Sequence, residues 1–231
     1  MKRYGQYCPV AKAAEVLAER WTLLIIRELL WGNERFNAIA RGVPRMSPSL
    51  LAARLRELQR VGLVERHVEG GEPRYRLSPA GRELQPLVEG LGAWGQRWMH
   101  SLRPDDLDPS VLMLDMSREL DLVRERLPDP PVTVQIHLPA AEQGLRYWWL
   151  VLGRSGVDVC DVDPGFPVAS WVRTDPGTLT RLWLGDLRWP QAIRAGMVEM
   201  TGDASANRAL PGWLGVSRFA EVERAEMPLT R

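Results

Sequence analysis

The sequence predicts an α+β chain in two parts, and three observations predict it. Apolar residues recur at helical spacing through most of the first hundred residues, closed by one short hairpin pattern. After a stretch rich in proline and aspartate, "LRPDDLDPS", period-two strand patterns take over. The charge changes sign across the same boundary. Residues 1–103 carry 17 Lys+Arg and 10 Asp+Glu, whereas residues 104–231 carry 13 and 19. Opposite charges in the two parts point to different partners. Of the 17 basic residues 15 are arginine, the side chain best matched to phosphate and guanine edges.

The rest of the composition narrows the class. The most apolar run, "WTLLIIRELLW", is interrupted by Arg27 and Glu28 and falls short of a membrane span. The N-terminus lacks the apolar core of a signal peptide, and two cysteines are too few for a disulfide scaffold. A soluble cytoplasmic protein with no membrane contact is expected.

The elements follow in order. "CPVAKAAEVLAERWTLLIIRELLWGN" is predicted helical throughout, with Val16, Leu17, Leu24, Leu29 and Leu30 inward and Gly32 at its end. "ERFNAIARGV" gives a short second helix with Phe36, Ile39 and Ala40 inward. In "RMSPSLLAARLRELQRVGLVER" Ser47 is the cap, Pro48 the first helical residue and Gly62 the stop. Leu51, Leu55 and Leu58 share one face of that helix; Ser49, Ala53, Arg56 and Arg60 share the other. "LVERHV" and "PRYRL" flank "EGGE" as a hairpin. Ser78 caps a last helix, on which Leu84, Leu87 or Val88, Leu91, Trp94 and Trp98 form a seam. Pro86, Gly90, Gly92 and Gly95 argue against a straight helix there.

Helix, helix, turn, helix, hairpin, helix is the order of a winged helix-turn-helix. The third helix then enters the major groove of double-stranded DNA, where small residues permit close approach and arginines reach base edges or phosphates. The hairpin lies along the backbone or minor groove. The wing tip carries Glu69 and Glu72 and makes a poor phosphate ligand, so the basic residues on its strands are the better candidates. The DNA-binding set is Ser47, Ser49, Ala53, Arg54, Arg56, Arg60, Arg66, His67, Arg74 and Arg76, with DNA shape adding to specificity. Arg20 and Arg27 are read instead as partners of Glu15, Glu19 or Glu28.

Residues 7–99 resemble the HxlR family of bacterial winged-helix regulators. The likeness rests on the ordered segments Cys-Pro-Val, Arg-Trp-Thr-Leu-Leu-Ile, Arg-Phe-Asn, Leu-Arg-Glu-Leu and Tyr-Arg-Leu-Ser-Pro-Ala-Gly. The resemblance implies a transcriptional regulator that binds a pseudo-palindromic operator as a homodimer. Its dimer contact would use the first helix and the helix after the wing, which suits the seam Leu84, Leu87, Leu91, Trp94 and Trp98. Some regulators of this family sense oxidants or electrophiles through a cysteine at the position of Cys8. An inert, half-buried Cys8 is the competing reading.

Residues 104–231 show no nucleophile elbow, phosphate loop, cofactor motif or metal-ligand cluster, so no enzyme is expected. "DVCDVDPG" lacks the ligand spacing of a calcium loop, because the twelfth position from Asp158 is Ala169. Strands are predicted in "VTVQIHL", "YWWLVL", "VDVCDV", "VASWVRT" and "MVEMTG", with helices in "VLMLDMSRELDLVRERL", "PGTLTRLWLG" and "WPQAIRAG". Six of the chain's ten tryptophans fall here. They form either an aromatic core or an apolar cavity between a mixed sheet and its helices. The candidate lining is Trp148, Leu150, Leu152, Val159, Trp171, Leu182, Trp183 and Ile193. The segment "WVRTDPGTLTRLWLGDLRWPQAIRAGMVEMTGD" resembles the sterol carrier protein type 2 family, which implies a lipid-type cavity and an apolar small-molecule or lipid effector. The rival assignments are a lipid carrier whose winged helix only dimerises, and an enzyme using the cavity.

Overall fold

The computed structural model describes residues 4–99 and 101–226. The chain divides into two compact units, Met1–Gly92 and Ala93–Arg231.

The first unit opens with α1 (Pro9–Leu17) and α2 (Thr22–Leu30). The single long helix expected here is broken, and the break sits at Trp21, whose φ of 78° is left-handed. Burial explains it. Val16 and Ile25 would stand about 180° apart on one continuous helix, so a straight rod could not put both on one core. With the break, Val16 and Leu17 pack on the core that buries Ile25, Ile26 and Leu29. Leu24, expected inward, is 38% exposed. Phe36, Ile39 and Ala40 of α3 (Phe36–Gly42) face the core as expected.

Helix α4 (Pro48–Arg60) starts where the cap predicts. Ser47 Oγ accepts from the Leu50 N–H at 3.3 Å, and Leu51, Leu55 and Leu58 are buried. The chain leaves α4 through Gly62, at φ 77°, a conformation that costs glycine no Cβ clash. Strands β1 (Val64–Glu69) and β2 (Glu72–Leu77) pair antiparallel with Glu69 opposite Glu72, so the turn is Gly70-Gly71, both at positive φ. Ser78 caps only one turn, α5 (Pro79–Arg82), before α6 (Gln85–Trp98). Pro86 lies in the first turn of α6, where a missing N–H is harmless, and the glycines leave that helix continuous.

Helix α7 (Pro109–Leu122) precedes a five-stranded mixed sheet of order β5-β4-β3-β6-β7. Its strands are β3 (Val132–His137), β4 (Tyr147–Gly153), β5 (Gly156–Cys160), β6 (Val168–Arg173) and β7 (Glu199–Gly202). Only β3 and β6 pair in parallel. Helices α8 (Pro176–Trp183) and α9 (Trp189–Arg194) lie between β6 and β7, and α10 (Ala204–Leu214) follows. One face of the sheet presents Val134, Ile136, Leu150 and Leu152 to apolar residues of all four helices. Of the candidate lining, Trp148, Leu182 and Trp183 join that cluster, and Val159 packs against it. Trp171 and Ile193 do not: they are 43% and 42% exposed. Strand alternation is the reason for Trp171, since its neighbours Ser170 and Val172 take the inward positions.

No described helix is long and apolar enough to cross a membrane.

Candidate nucleic-acid interface

The α2–α3 scaffold is held from inside by a fully buried carboxylate. Glu28 Oε1 accepts from Arg27 Nε and Nη2 at 3.1 and 2.9 Å, and Oε2 accepts from Asn33 Nδ2 at 3.0 Å. Arg27 Nη2 also donates to the Gly42 carbonyl at 2.9 Å, tying α2 to the end of α3. Gly42 has no alternative here, because a Cβ would lie 1.9 Å from the Glu28 carboxyl carbon. The expected pairing of Arg27 with Glu28 is therefore present. Arg20 instead lies over the Trp21 ring at 5.0 Å.

This scaffold turns one face of α4 outward. Ser49, Ala53 and Arg56 are exposed, and Arg56 makes no ion pair among the described residues. Arg60, also exposed, pairs with Glu57 at 2.6 Å one turn back. That partner holds the Glu57 carboxyl below its ordinary range and raises the guanidinium. Ser47 is engaged as the cap and lies 3.2 Å from Ser49 Oγ. Arg54 turns away from this face. It is largely buried, and its Nη2 donates to Glu19 Oε2 at 3.2 Å, so it braces α4 against the α1–α2 segment.

The hairpin distributes its basic residues differently. Arg76 donates to both oxygens of Glu34, at 2.5 and 3.0 Å, and pairs with Glu69 at 2.7 Å. The guanidinium beside Glu34 holds that carboxyl below its usual range, and the two carboxylates push Arg76 up. The Tyr75 N–H donates to the Glu34 carbonyl at 2.8 Å, and Arg35 bridges to Arg74, so β2 is stitched to the segment before α3. Arg74 is half-buried, with Nε lacking an acceptor. His67 lies 3.2 Å from Glu65. Only Arg66, opposite Tyr75, is exposed without an ion pair among the described residues. Sequence reasoning missed Glu34. Its signal is an acidic residue just before a helix and far from the hairpin, which gains meaning only from the fold.

The seam residues separate by burial. Leu84 and Val88 pack on the first unit's core. Leu87, Leu91 and Trp94 are 54%, 50% and 49% exposed, and Trp98 is half-buried. Tyr7 and Val10, near the start of α1, are also exposed apolar residues. Cys8 is half-buried at the N-cap of α1, and its side chain makes no capping hydrogen bond.

Comparison with known proteins places the first unit. A family model described as HxlR-like helix-turn-helix matches residues 16–103. The uncharacterized HTH-type transcriptional regulator YvaP of Bacillus subtilis is 34% identical over 112 residues, 47% of this chain and 96% of the relative. The uncharacterized HTH-type transcriptional regulator Rv3095 of Mycobacterium tuberculosis is 34% identical over 137 residues, 52% of this chain and 84% of the relative. Among solved structures, the reduced form of the transcriptional regulator YodB from B. subtilis is 35% identical, covering 39% of this chain and 93% of that one, with a TM-score of 0.35. These relatives are named as regulators rather than enzymes. Through its N-terminal part, the chain belongs to the HxlR-like helix-turn-helix family.

Proposed function

We propose that the protein is a transcriptional regulator that binds a pseudo-palindromic operator as a homodimer, with α4 in the major groove. The observation that carries this reading is the outward face of α4. It is capped, rigidly backed by three buried leucines, and presents Ser49, Ala53 and an uncommitted Arg56. Family membership supports it. Arg66 reaches the backbone from the hairpin, and Arg60 joins it once Glu57 is exchanged for a phosphate. Arg54 and Arg76 serve the scaffold. A domain division at residues 103/104 gives the head and the C-terminal part separate roles.

The dimer contact is the stripe Leu87, Leu91, Trp94 and Trp98 on α6, joined by Tyr7 and Val10. Exposed apolar residues at this spacing on one helix are what a partner helix covers. Burying a leucine there is worth ~2 kcal/mol. The C-terminal part modulates binding through an apolar small molecule or lipid. A mixed sheet with helices over one apolar face is the arrangement the sterol-carrier resemblance implies.

Gel shifts with the gene's own upstream DNA test the function. Binding at low salt is expected, with a log–log salt slope on the order of −5 or steeper for a dimer. Leu91→Asp should yield monomers in light scattering and lose operator binding together. No binding to any upstream fragment at low salt sinks the regulator reading.

A redox-sensing mechanism is the second reading, favoured by the position of Cys8 beside the exposed Tyr7 and Val10. Under it, a thiol oxidant changes operator affinity in wild type and not in Cys8→Ser.

A further inference from the structure

The sheet face turned away from the helices has a composition that neither DNA binding nor the apolar core uses. The register places Cys160, Trp149, Gln135, Trp171 and Thr201 in one row across all five strands. Tyr147, His137, Arg173 and Glu199 form the next row across four of them. The Tyr147 and His137 rings stack at 4.5 Å with only 3° between their planes, and the Tyr147 and Trp149 rings lie 6.3 Å apart. Tyr147 and Trp171 are 44% and 43% exposed, so two large aromatic rings stand open on one sheet face. Trp149 is 92% buried, yet its indole N–H has no acceptor among the described residues. A buried donor without an acceptor is costly, and marks a place for an acceptor atom from outside.

Charge selects the occupant. The acidic excess of residues 104–231 disfavours nucleic acid and other anions. On this face the basic Arg173 is already paired with Glu199 at 3.2 Å, while Asp158 stands exposed on β5. Burial first, and then the charges of Asp158 and Asp161, push the neighbouring Cys160 thiol upward, so the exposed Asp158 is the acidic side chain at that end of the tryptophan row.

We propose that this sheet face binds a planar aromatic cation, stacked on the exposed Trp171 ring beside the Tyr147–His137 pair and attracted by the acidic side chains at the sheet edges. Aromatic faces attract cations through their quadrupole, and a ring heteroatom of the ligand would accept the Trp149 N–H. This site is distinct from the apolar face covered by the helices, and the proposal does not depend on where DNA binds.

Equilibrium dialysis of the full chain with three fused-ring probes tests it. Methylene blue is a cation with a ring-nitrogen acceptor, acridine is neutral with the same acceptor, and acridine carboxylate is an anion. Methylene blue should bind at least about tenfold more tightly than acridine, and the carboxylate more weakly still. Trp171→Ala should weaken methylene blue roughly three- to tenfold. Asp158→Asn combined with Glu199→Gln keeps every ring and unpairs Arg173, so it should weaken methylene blue and leave acridine unchanged. Circular dichroism confirms that both variants fold. Equal affinity for methylene blue and acridine overturns the proposal, as does unaltered binding in the charge variant. A changed oligomeric state of Trp171→Ala with unchanged dye binding also overturns it, by assigning the face to a second copy of the chain.

Discussion

Helix α4 and the β1–β2 hairpin carry similar numbers of basic residues, and they commit them in opposite ways. On the helix, Arg54 faces inward to Glu19, while Arg56 stands out beside the small residues Ser49 and Ala53. On the hairpin, Arg76 is clamped between Glu34 and Glu69, Arg74 is half-buried, His67 lies beside Glu65, and Arg66 is the exposed arginine without an ion pair among the described residues. A count of positive charges therefore overstates what the wing can offer a phosphate. What decides is how many carboxylates lie within reach. The hairpin has Glu65, Glu69 and Glu72 in its own strands and Glu34 from the scaffold. On the outward face of α4 the carboxylate paired with Arg60 is Glu57. The helix leaves an arginine uncommitted on its outward face, and the wing is fastened chiefly to its own domain.

The largest expected effect removes the frame on which both elements stand. Gly42→Ala drives a Cβ into the buried Glu28 carboxyl and should destabilise the first unit by on the order of 3 kcal/mol, read as a lower thermal midpoint and the loss of all DNA binding. An unchanged midpoint would show that Glu28 has another position open to it.

Next in size, Arg56→Ala should weaken specific binding by about 1–3 kcal/mol if the guanidinium meets a base edge, with no change in stability. Arg66→Ala should cost less. It should act equally on specific and unrelated DNA and make the salt slope shallower by about one per protomer.

The hairpin clamp gives a pH effect. Glu34 has a depressed folded-state pKa, with its hydrogen bonds from Arg76 as the main cause. A group of this kind contributes stability that is present above its unfolded pKa and lost as pH falls through the lower folded value. Acidification below the ordinary carboxylate range should loosen the hairpin, seen as faster amide exchange at Tyr75. Glu34→Gln should already be loose at neutral pH and show a flatter acid response. The clamp is part-exposed, so its effect on global stability should be small.

The smallest effect sharpens the contrast from the other side. Glu57→Gln releases Arg60 from its one-turn pair and should raise non-specific DNA affinity slightly, by less than about 1 kcal/mol.

Much of the reading head was legible because its signals are local. The Ser47 cap, the Pro48 start, the leucine face and the Gly-Gly turn each depend on neighbours within a few residues, and each stands where the sequence put it. The break at Trp21 was not legible. An apolar run on both sides conceals the phase change, and a tryptophan at positive φ has no composition signal. The same limit hid the difference between Arg54 and Arg56. Both lie on one short helix, and only the position of Glu19 on another element decides which is engaged. In the C-terminal part all five strands were found, but their faces were only half readable. In "YWWLVL" alternation puts Trp148 and Trp149 on opposite faces without saying which is inside. The structure buries both, Trp148 in the apolar cluster and Trp149 on the other side of the sheet. Trp171, expected in the cavity lining, is placed by the register on the outer face.

The contrast between helix and wing is tested most directly by fluorescence anisotropy titrations of one labelled operator with wild type, Arg56→Ala and Arg76→Gln, each repeated on an unrelated duplex. Arg56→Ala should lose about 1–3 kcal/mol on the operator and little on the unrelated duplex, while Arg76→Gln, at a temperature where it remains folded, should bind both as wild type does. The reverse pattern, with Arg76→Gln losing operator affinity and Arg56→Ala unaffected, would contradict it and assign recognition to the hairpin.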